Sequence, residues 1–290
     1  MGILPQLILN SLIAGAVYTL IALGFNLIYG VTRFFNIAHG ALAAVGGYAV
    51  FFFSKTLGWN LYGGVILGVV IAGLIGYISD LLVYAPLRRR KASPMVQLVA
   101  SLGIFTVIQA VIAILFTSQF QTLSSSQNLG TQHIYSIGGG VITETQVVIL
   151  LTGLMIMLGL TALMKYTAFG KQVKAVSDDE EVASIIGINT HRMTGYIFFI
   201  GSAIAGLAGI LVGYDTGIEP TMGMNLLLKG VIAAIVGGVG SVVGGVLGSF
   251  LLGFVENFGI WKIAGEWKDA IAFGLLILFL IFRPHGIIKR

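Results

Sequence analysis

Long apolar segments separated by short polar stretches follow one another through this chain. The first, Ile3–Tyr29, holds no charged residue and exceeds the roughly 20 residues that cross a bilayer. It is too long for a signal peptide and lacks the basic start of one. Of 290 residues, 57% are hydrophobic and 9% are charged, whereas soluble domains carry about 25% charged residues. Most of the surface of this chain must therefore be solvated by lipid.

Nine such segments are predicted to be membrane segments. In lipid only helices and closed barrels satisfy the backbone hydrogen-bonding groups, and continuous apolar runs indicate helices rather than barrel strands. The sequence therefore predicts an all-α fold, a polytopic transmembrane helical bundle that forms one domain over residues 1–290. The segments are Ile3–Tyr29, Phe34–Phe53, Leu61–Tyr84, Pro94–Phe116, Glu144–Met164, Met193–Gly213, Met222–Gly238, Val242–Phe258 and Ala270–Phe282.

Two of these segments are short for a complete crossing. Met222–Gly238 carries Lys229 near its middle, and Ala270–Phe282 is shorter still. Short or interrupted segments at membrane depth often line a cavity rather than face lipid. We therefore predict about 8–9 membrane segments, meaning eight complete spans and one broken or re-entrant segment.

Lysine and arginine residues predict the orientation, because cytoplasmic loops carry an excess of them. When the nine segments alternate across the membrane, twelve of the sixteen basic residues fall on one side. We predict that this side is cytoplasmic, with the N-terminus outside and the C-terminus inside. The twelve residues are Arg33, Arg88, Arg89, Arg90, Lys91, Lys165, Lys171, Lys174, Arg192, Arg283, Lys289 and Arg290.

A charged stretch between the fifth and sixth segments predicts a short amphipathic helix, Asp178–Ile186. Ser177 and Glu180 have the spacing of a capping box, four acids suit the positive end of the helix dipole, and a glycine ends the apolar stripe. A groove on a partner protein suits an acidic helix better than an anionic lipid surface does, with packing on the headgroups as the alternative. The residues concerned are Ser177, Asp178, Asp179, Glu180, Glu181, Val182, Ala183, Ile186 and Gly187.

Three motifs resemble those of branched-chain amino acid ABC transporter permeases, and the resemblance covers essentially the whole chain. Lys174–Asn189 resembles the cytoplasmic coupling region of that family, which ends in Gly-Ile-Asn. Asn36–Gly40 is similar to its N-x-A-H-G segment, and Gly237–Gly248 is similar to its G-G-x-G-S…G…G run. Lys229, just before that run, resembles the H-type of the two paired permeases.

The resemblance implies a type II ABC importer-like permease with a cytoplasmic coupling helix at about residues 175–190. An extracytoplasmic binding protein would deliver branched-chain or other apolar amino acids to two permeases, the second being a paralogue or another copy. Two cytoplasmic ABC ATPases would drive alternating access as a two-state switch. The resemblance also implies a multi-pass protein of the bacterial inner membrane. Urea and short-chain amides stay open as alternative substrates.

Asn36, His39 and Lys229 lie inside predicted segments and are candidates for the translocation path. Polar groups in a membrane are costly and usually face the bundle interior. For Asn36 and His39 a structural hydrogen bond between helices is an equal alternative. Lys229 has these two alternatives and a third, in which it snorkels to an interface.

A glycine-rich run near the end of the chain is predicted to pack helices, as small residues do in membranes. It is not a nucleotide loop, because no Lys-Ser or Lys-Thr follows it, so ATP hydrolysis is expected from separate subunits. No catalytic residue, cofactor or metal site is predicted, since cysteine is absent and the four histidines are dispersed. The net charge of +5 belongs to loop topology and does not indicate nucleic acid. The glycines are Gly237, Gly238, Gly240, Gly244 and Gly248.

Two other classes of transporter fit the sequence less well. An ion-coupled secondary transporter usually places acidic groups in mid-membrane, whereas the acids of this chain are predicted in loops or near interfaces. A channel needs a filter of carbonyl groups or charge rings, and no segment suggests one. The acidic helix favours the importer permease over both.

Overall fold

The structure, a computed structural model, describes residues 3–123 and 134–288. It is the all-α helical bundle that the sequence predicts. The predicted segments Phe34–Phe53, Met222–Gly238 and Ala270–Phe282 form shorter helices, so the total of 8–9 membrane segments stays a prediction. In the described ranges, six helices are long and apolar enough to cross a membrane: Ile3–Thr32, Leu61–Arg89, Pro94–Phe116, Glu144–Tyr166, Thr190–Asp215 and Val242–Gly259.

Helices and one small sheet follow in this order along the described residues. The helices are α1 (Ile3–Thr32), α2 (Ala38–Val50), α3 (Leu61–Ser79), α4 (Ala85–Arg89), α5 (Pro94–Phe116), α6 (Glu144–Tyr166), α7 (Ala168–Asp178), α8 (Glu180–Ile185), α9 (Thr190–Asp215), α10 (Met222–Gly237), α11 (Val242–Gly259) and α12 (Lys268–Phe282). The antiparallel strands β1 (Ile134–Ile137) and β2 (Gly140–Thr143) lie between α5 and α6. Two π-helical turns, Phe51–Thr56 and Asp80–Tyr84, extend α2 and join α3 to α4, and a 3-10 turn, Gly265–Trp267, precedes α12.

Helix α1 lies at the centre of the bundle. It packs against α6, α9, α10 and α11, and four consecutive residues, Leu20–Leu23, are fully buried. A helix that is apolar on every side belongs in the core. In α5 and α6, by contrast, only 17% of the most apolar stretch is buried within the chain. These two helices therefore form the periphery that lipid or a partner must cover.

Helix α2 begins at Ala38, so the predicted start at Phe34 is wrong. The preceding residues are unwound, and their polar groups find partners far away in sequence. The Ile37 N–H donates to Ser101 Oγ at 3.0 Å, and the Tyr84 hydroxyl donates to Asn36 Oδ1 at 3.0 Å. Irregular backbone is tolerated at membrane depth where protein buries it and supplies such partners.

One end of the bundle, here called the basic end, contains Arg33 and Arg192. There α1 and α4 end and α9 begins, and three aromatic rings hold them together. The Phe34 and Tyr84 ring centroids are 4.9 Å apart, and the Tyr84 and Phe198 centroids are 5.3 Å apart. The packed rings connect the segment after α1, the turn before α4 and α9.

The opposite end, here called the far end, carries the β-hairpin. The Gln6 side chain of α1 bonds to both backbone groups of Val141, donating at 3.1 Å and accepting at 2.8 Å. Gln121 pairs with Ile218 in an isolated antiparallel bridge. The start of α1, the hairpin and the end of α9 therefore share the far end.

Glycines join α10 to α11. A Cβ added at Gly237 would collide with the Gly244 carbonyl, and one added at Gly248 would collide with the backbone of Gly237. The backbones of α10 and α11 come so close here that these three positions leave no room for a side chain. Gly238 and Gly240 instead form the turn between the helices, with φ values of 115° and 81° that favour glycine.

The chain after α12 turns back onto the end of α10. The Ile287 N–H donates to the Val236 carbonyl at 2.9 Å, and the Ile288 N–H donates to the Gly237 carbonyl at 3.0 Å. These bonds satisfy carbonyl groups that the last turn of a helix leaves without partners. Two basic residues of the tail that is predicted to be cytoplasmic, Lys289 and Arg290, lie outside the described range.

Candidate functional site

Two helices, α7 and α8, form the charged element between α6 and α9. Asp179 lies between them in an extended conformation with φ −154°. Its carboxylate accepts the backbone N–H groups of Glu181 and Val182 at 2.9 and 3.0 Å. Asp179 is therefore the N-cap of α8, and the predicted helix Asp178–Ile186 begins too early.

The capping role predicted for Ser177 is wrong. Ser177 lies in the last turn of α7, where its hydroxyl donates to the Gly30 carbonyl of α1. Arg33 donates to the Ser177 carbonyl at 2.8 Å. The S-x-x-E spacing fits a cap, but the upstream residues already form a helix that continues through Asp178. These bonds attach α7 to the basic end of α1.

Helix α8 exposes three apolar side chains, here called the α8 apolar face: Val182, Ile185 and Ile186, which are 53%, 80% and 67% exposed. Ala183 is only 1% exposed, so it packs within the chain and not in the predicted stripe. Ile185 is not part of the predicted stripe, although it is the most exposed of the three. Gly187 follows with φ 90°, as a helix stop requires.

Exposed acids stand beside the α8 apolar face. Glu180 and Glu181 occupy the first turn of α8 and are open to solvent. Asp178 and Asp179 are exposed as well, at the junction of the two helices. The element thus presents an apolar patch with a negative rim, which suits a groove with a basic edge.

Asn36 and His39 are buried beside α1 and the end of the α3–α4 helix. Asn36 is held by Tyr84, as described above. The His39 ring lies against Gly24, where an added Cβ would come within 2.8 Å of its Cε1 atom. Neither residue lines the two clefts described below, and their place on a translocation path stays a prediction.

Lys229 faces the bundle interior in a cluster of charges. Its Nζ lies 2.5 Å from Glu256 Oε1 and 2.7 Å from Asp269 Oδ1. The Tyr18 hydroxyl donates to Glu256 Oε2 at 2.7 Å, and Lys268 Nζ lies 3.8 Å from the same oxygen. The Glu256 side chain is 0% exposed and that of Lys229 is 12% exposed. The cluster joins α1, α10, α11 and the start of α12.

Sequence reasoning missed the burial of Glu256, because an acid so close to the end of a predicted segment suggests an interface. The signal that points to it is Lys229 itself, since a buried ammonium group needs a charged or hydrogen-bonding partner. Of the three candidates for the translocation path, Asn36 and His39 lie beside α1 and the α3–α4 helix, whereas Lys229 lies in the charged cluster.

Within residues 3–123 and 134–288, no three His, Cys, Asp or Glu side chains are grouped to hold a metal ion.

Asn26 ties α1 to the turn between α10 and α11. Its Nδ2 donates to the Ser241 carbonyl at 2.9 Å, and its Oδ1 accepts the Gly240 N–H at 3.0 Å. A cleft of about 160 Å³ lies beside it, between α1, α7 and α11. The last two turns of α1 therefore contact both the α10–α11 turn, through Asn26, and α7, through Gly30.

The chain is similar to known proteins over nearly its whole length. The model of the family described as branched-chain amino acid transport system / permease component matches residues 7–280. The chain is 33% identical to the high-affinity branched-chain amino acid transport system permease protein LivH of Escherichia coli (strain K12), over 98% of this chain and 95% of LivH. It is 31% identical to the corresponding permease protein BraD of Pseudomonas aeruginosa, over 98% of this chain and 95% of BraD.

Among solved structures, the chain is similar in fold to PsaBC from Streptococcus pneumoniae in complex with Fab. The TM-score is 0.51 at 15% identity, covering 98% of this chain and 93% of that chain. At this identity the likeness concerns the fold alone, and it agrees with the helical bundle. The family model and the relatives extend over nearly the whole sequence. The chain is therefore a multi-pass membrane protein that belongs to the family of branched-chain amino acid transport system permease components.

Proposed function

We propose that the chain is the membrane-spanning permease subunit of an ATP-binding cassette importer for branched-chain or other apolar amino acids. The observation that carries the proposal is α8, which presents an apolar face with an acidic rim and is attached to α1 through α7. Such a rigid projecting helix fits a groove on an ATPase subunit. The substrate class rests on the relatives, which are named as permeases of branched-chain amino acid transport.

Separate subunits supply the other activities in this proposal. The Gly237–Gly248 run lacks the Lys-Ser or Lys-Thr of a phosphate-binding loop, so two ATPase subunits hydrolyse ATP. An extracytoplasmic binding protein delivers substrate at the far end, and a second permease, a copy or a paralogue, completes the path. Closure of the ATPases moves α7 and α8, and access switches between the two sides as a two-state equilibrium.

Reconstituted transport tests this function directly. Proteoliposomes containing the complete transporter and its binding protein should accumulate radiolabelled leucine only with ATP on the ATPase side. Replacing the phosphate-binding lysine of the ATPase partner should abolish uptake, because that lysine contacts the nucleotide phosphates. A protonophore should leave uptake unchanged. Uptake that survives the ATPase change and disappears with the protonophore would instead identify an ion-coupled transporter. Uptake of urea without leucine would replace the substrate class.

Reporter fusions test the proposed orientation, in which the basic end faces the cytoplasm. A periplasmic reporter such as alkaline phosphatase should be inactive when fused after Arg90 and active when fused after Gly138. The expectation follows from the excess of Lys and Arg at the basic end. Green fluorescent protein at the same two positions is the matched control, and it should give the reverse pattern. Equal activity at both positions would contradict the arrangement of spans.

A further inference from the structure

A cleft of about 370 Å³ opens at the far end of the bundle. Its walls come from the first half of α1, the start of α6, the end of α9, and from α10, α11 and the first residue of α12. The volume falls in the range of small-molecule sites, roughly 300–1,000 Å³. The cleft lies at the end opposite to α7 and α8, which is the outer mouth in the proposed orientation.

One wall of the cleft is apolar. Ile13 and Val17 of α1 face it together with Val212 of α9 and Leu226 of α10. These four apolar side chains come from three helices. Such a wall gains free energy by covering a branched aliphatic side chain, because apolar surface leaves water.

Two opposite charges line the same cleft. Lys268 offers a cation, and its Nζ stands 3.8 Å from Glu256, whose closer partner is Lys229 at 2.5 Å. Asp215 offers an anion that Gln146, another residue of the cleft, hydrogen-bonds. Within the part of the chain that the structure describes, no ion pair engages Asp215. An ammonium group has three donors, so Lys268 retains capacity for a second acceptor.

We propose that this cleft receives a zwitterionic α-amino acid with an apolar side chain. The α-carboxylate binds Lys268, the α-ammonium binds Asp215, and the side chain covers the apolar wall. The inference rests on the proposed function and assigns residues to its substrate. It also separates amino acids from urea and neutral amides, which carry neither charge and can form neither of these two ionic contacts.

Direct binding of leucine tests the site. The complete transporter in lipid nanodiscs, without the binding protein, would be titrated with radiolabelled leucine. Lys268→Gln and Asp215→Asn should each weaken binding about tenfold or more, because each removes one charge-assisted hydrogen bond. Lys268→Arg should retain binding. The matched controls are Lys262→Gln and Glu219→Gln, which remove charges that do not line the cleft.

Two leucine analogues separate direct contact from a general structural defect. Leucinamide lacks the carboxylate, so Lys268→Gln should leave its affinity unchanged while Asp215→Asn weakens it. 4-Methylpentanoate lacks the ammonium group and should show the reverse. Equal loss for all three ligands, or no loss in either variant, would overturn the site. If these variants bind leucine normally while the wild type transports it, the proposed site is wrong and the proposed function stands. If the wild type transports no amino acid, both the proposed site and the proposed function are wrong.

Discussion

Replacing Ile185 with arginine is expected to abolish leucine uptake and to release the ATPase subunits from the purified complex. Ile185 is 80% exposed in the free chain and lies at the centre of the α8 apolar face. Burying such a side chain stabilises a complex by roughly 1.5–3 kcal/mol, and an unpaired guanidinium group in its place adds a desolvation cost. Binding should therefore weaken by about a hundredfold or more. Copurification of the ATPase and uptake of radiolabelled leucine are the two measurements.

Ile185→Leu is the matched control, because it keeps an apolar side chain of the same size and should leave both measurements unchanged. Ala183→Arg provides a contrast. Ala183 is 1% exposed, so arginine there should displace α8 itself and lower the thermal stability of the chain. Ile185→Arg should not lower it. Normal ATPase binding by Ile185→Arg would remove α8 from the coupling role.

The largest effect on folding is expected from Lys229→Met. This change leaves the Glu256 carboxylate, which is 0% exposed, without its nearest cation. Breaking one partner of a buried ion pair typically costs about 3–5 kcal/mol, since an uncompensated charge remains inside. Thermal unfolding in nanodiscs should therefore show a clear drop in Tm.

A second substitution tests the cause of this drop. Lys229→Met combined with Glu256→Gln should recover most of the lost stability, because the buried charge disappears together with its partner. Lys262→Met removes an exposed lysine beside Trp261 and should have little effect. Identical Tm values for the wild type and Lys229→Met would refute an energetic role for the cluster.

Several helix starts were predictable because residues close to them in sequence mark them. The segment Pro94–Phe116 was predicted with the bounds that the structure has, since Ser93 and Pro94 mark its start. The start of α6 after Thr143 was predicted too, and a capping box with Gln146 fixes it. These features depend on neighbours in sequence, which a single chain reveals.

The features that sequence reasoning missed depend on contacts between distant residues. The unwound turn before α2 is stable because Ser101 and Tyr84 supply hydrogen bonds from other helices. The buried partner of Lys229, Glu256, lies 27 positions away in a different helix. Ser177 matched a local capping pattern, but its hydroxyl bonds to Gly30 of α1 instead. Local patterns identify a polar group that needs a partner and leave the partner undetermined.

The return of the chain onto α10 has a consequence for the order of assembly in the cell. The carbonyl groups of Val236 and Gly237 receive their partners from Ile287 and Ile288, about fifty residues later in synthesis. Translation at roughly 5–20 residues per second therefore leaves the end of α10 uncapped for several seconds after it emerges from the ribosome. During that interval the α10–α11 turn relies on its own hydrogen bonds and on Asn26 of α1. This end of α10 therefore closes only after α12 has been made.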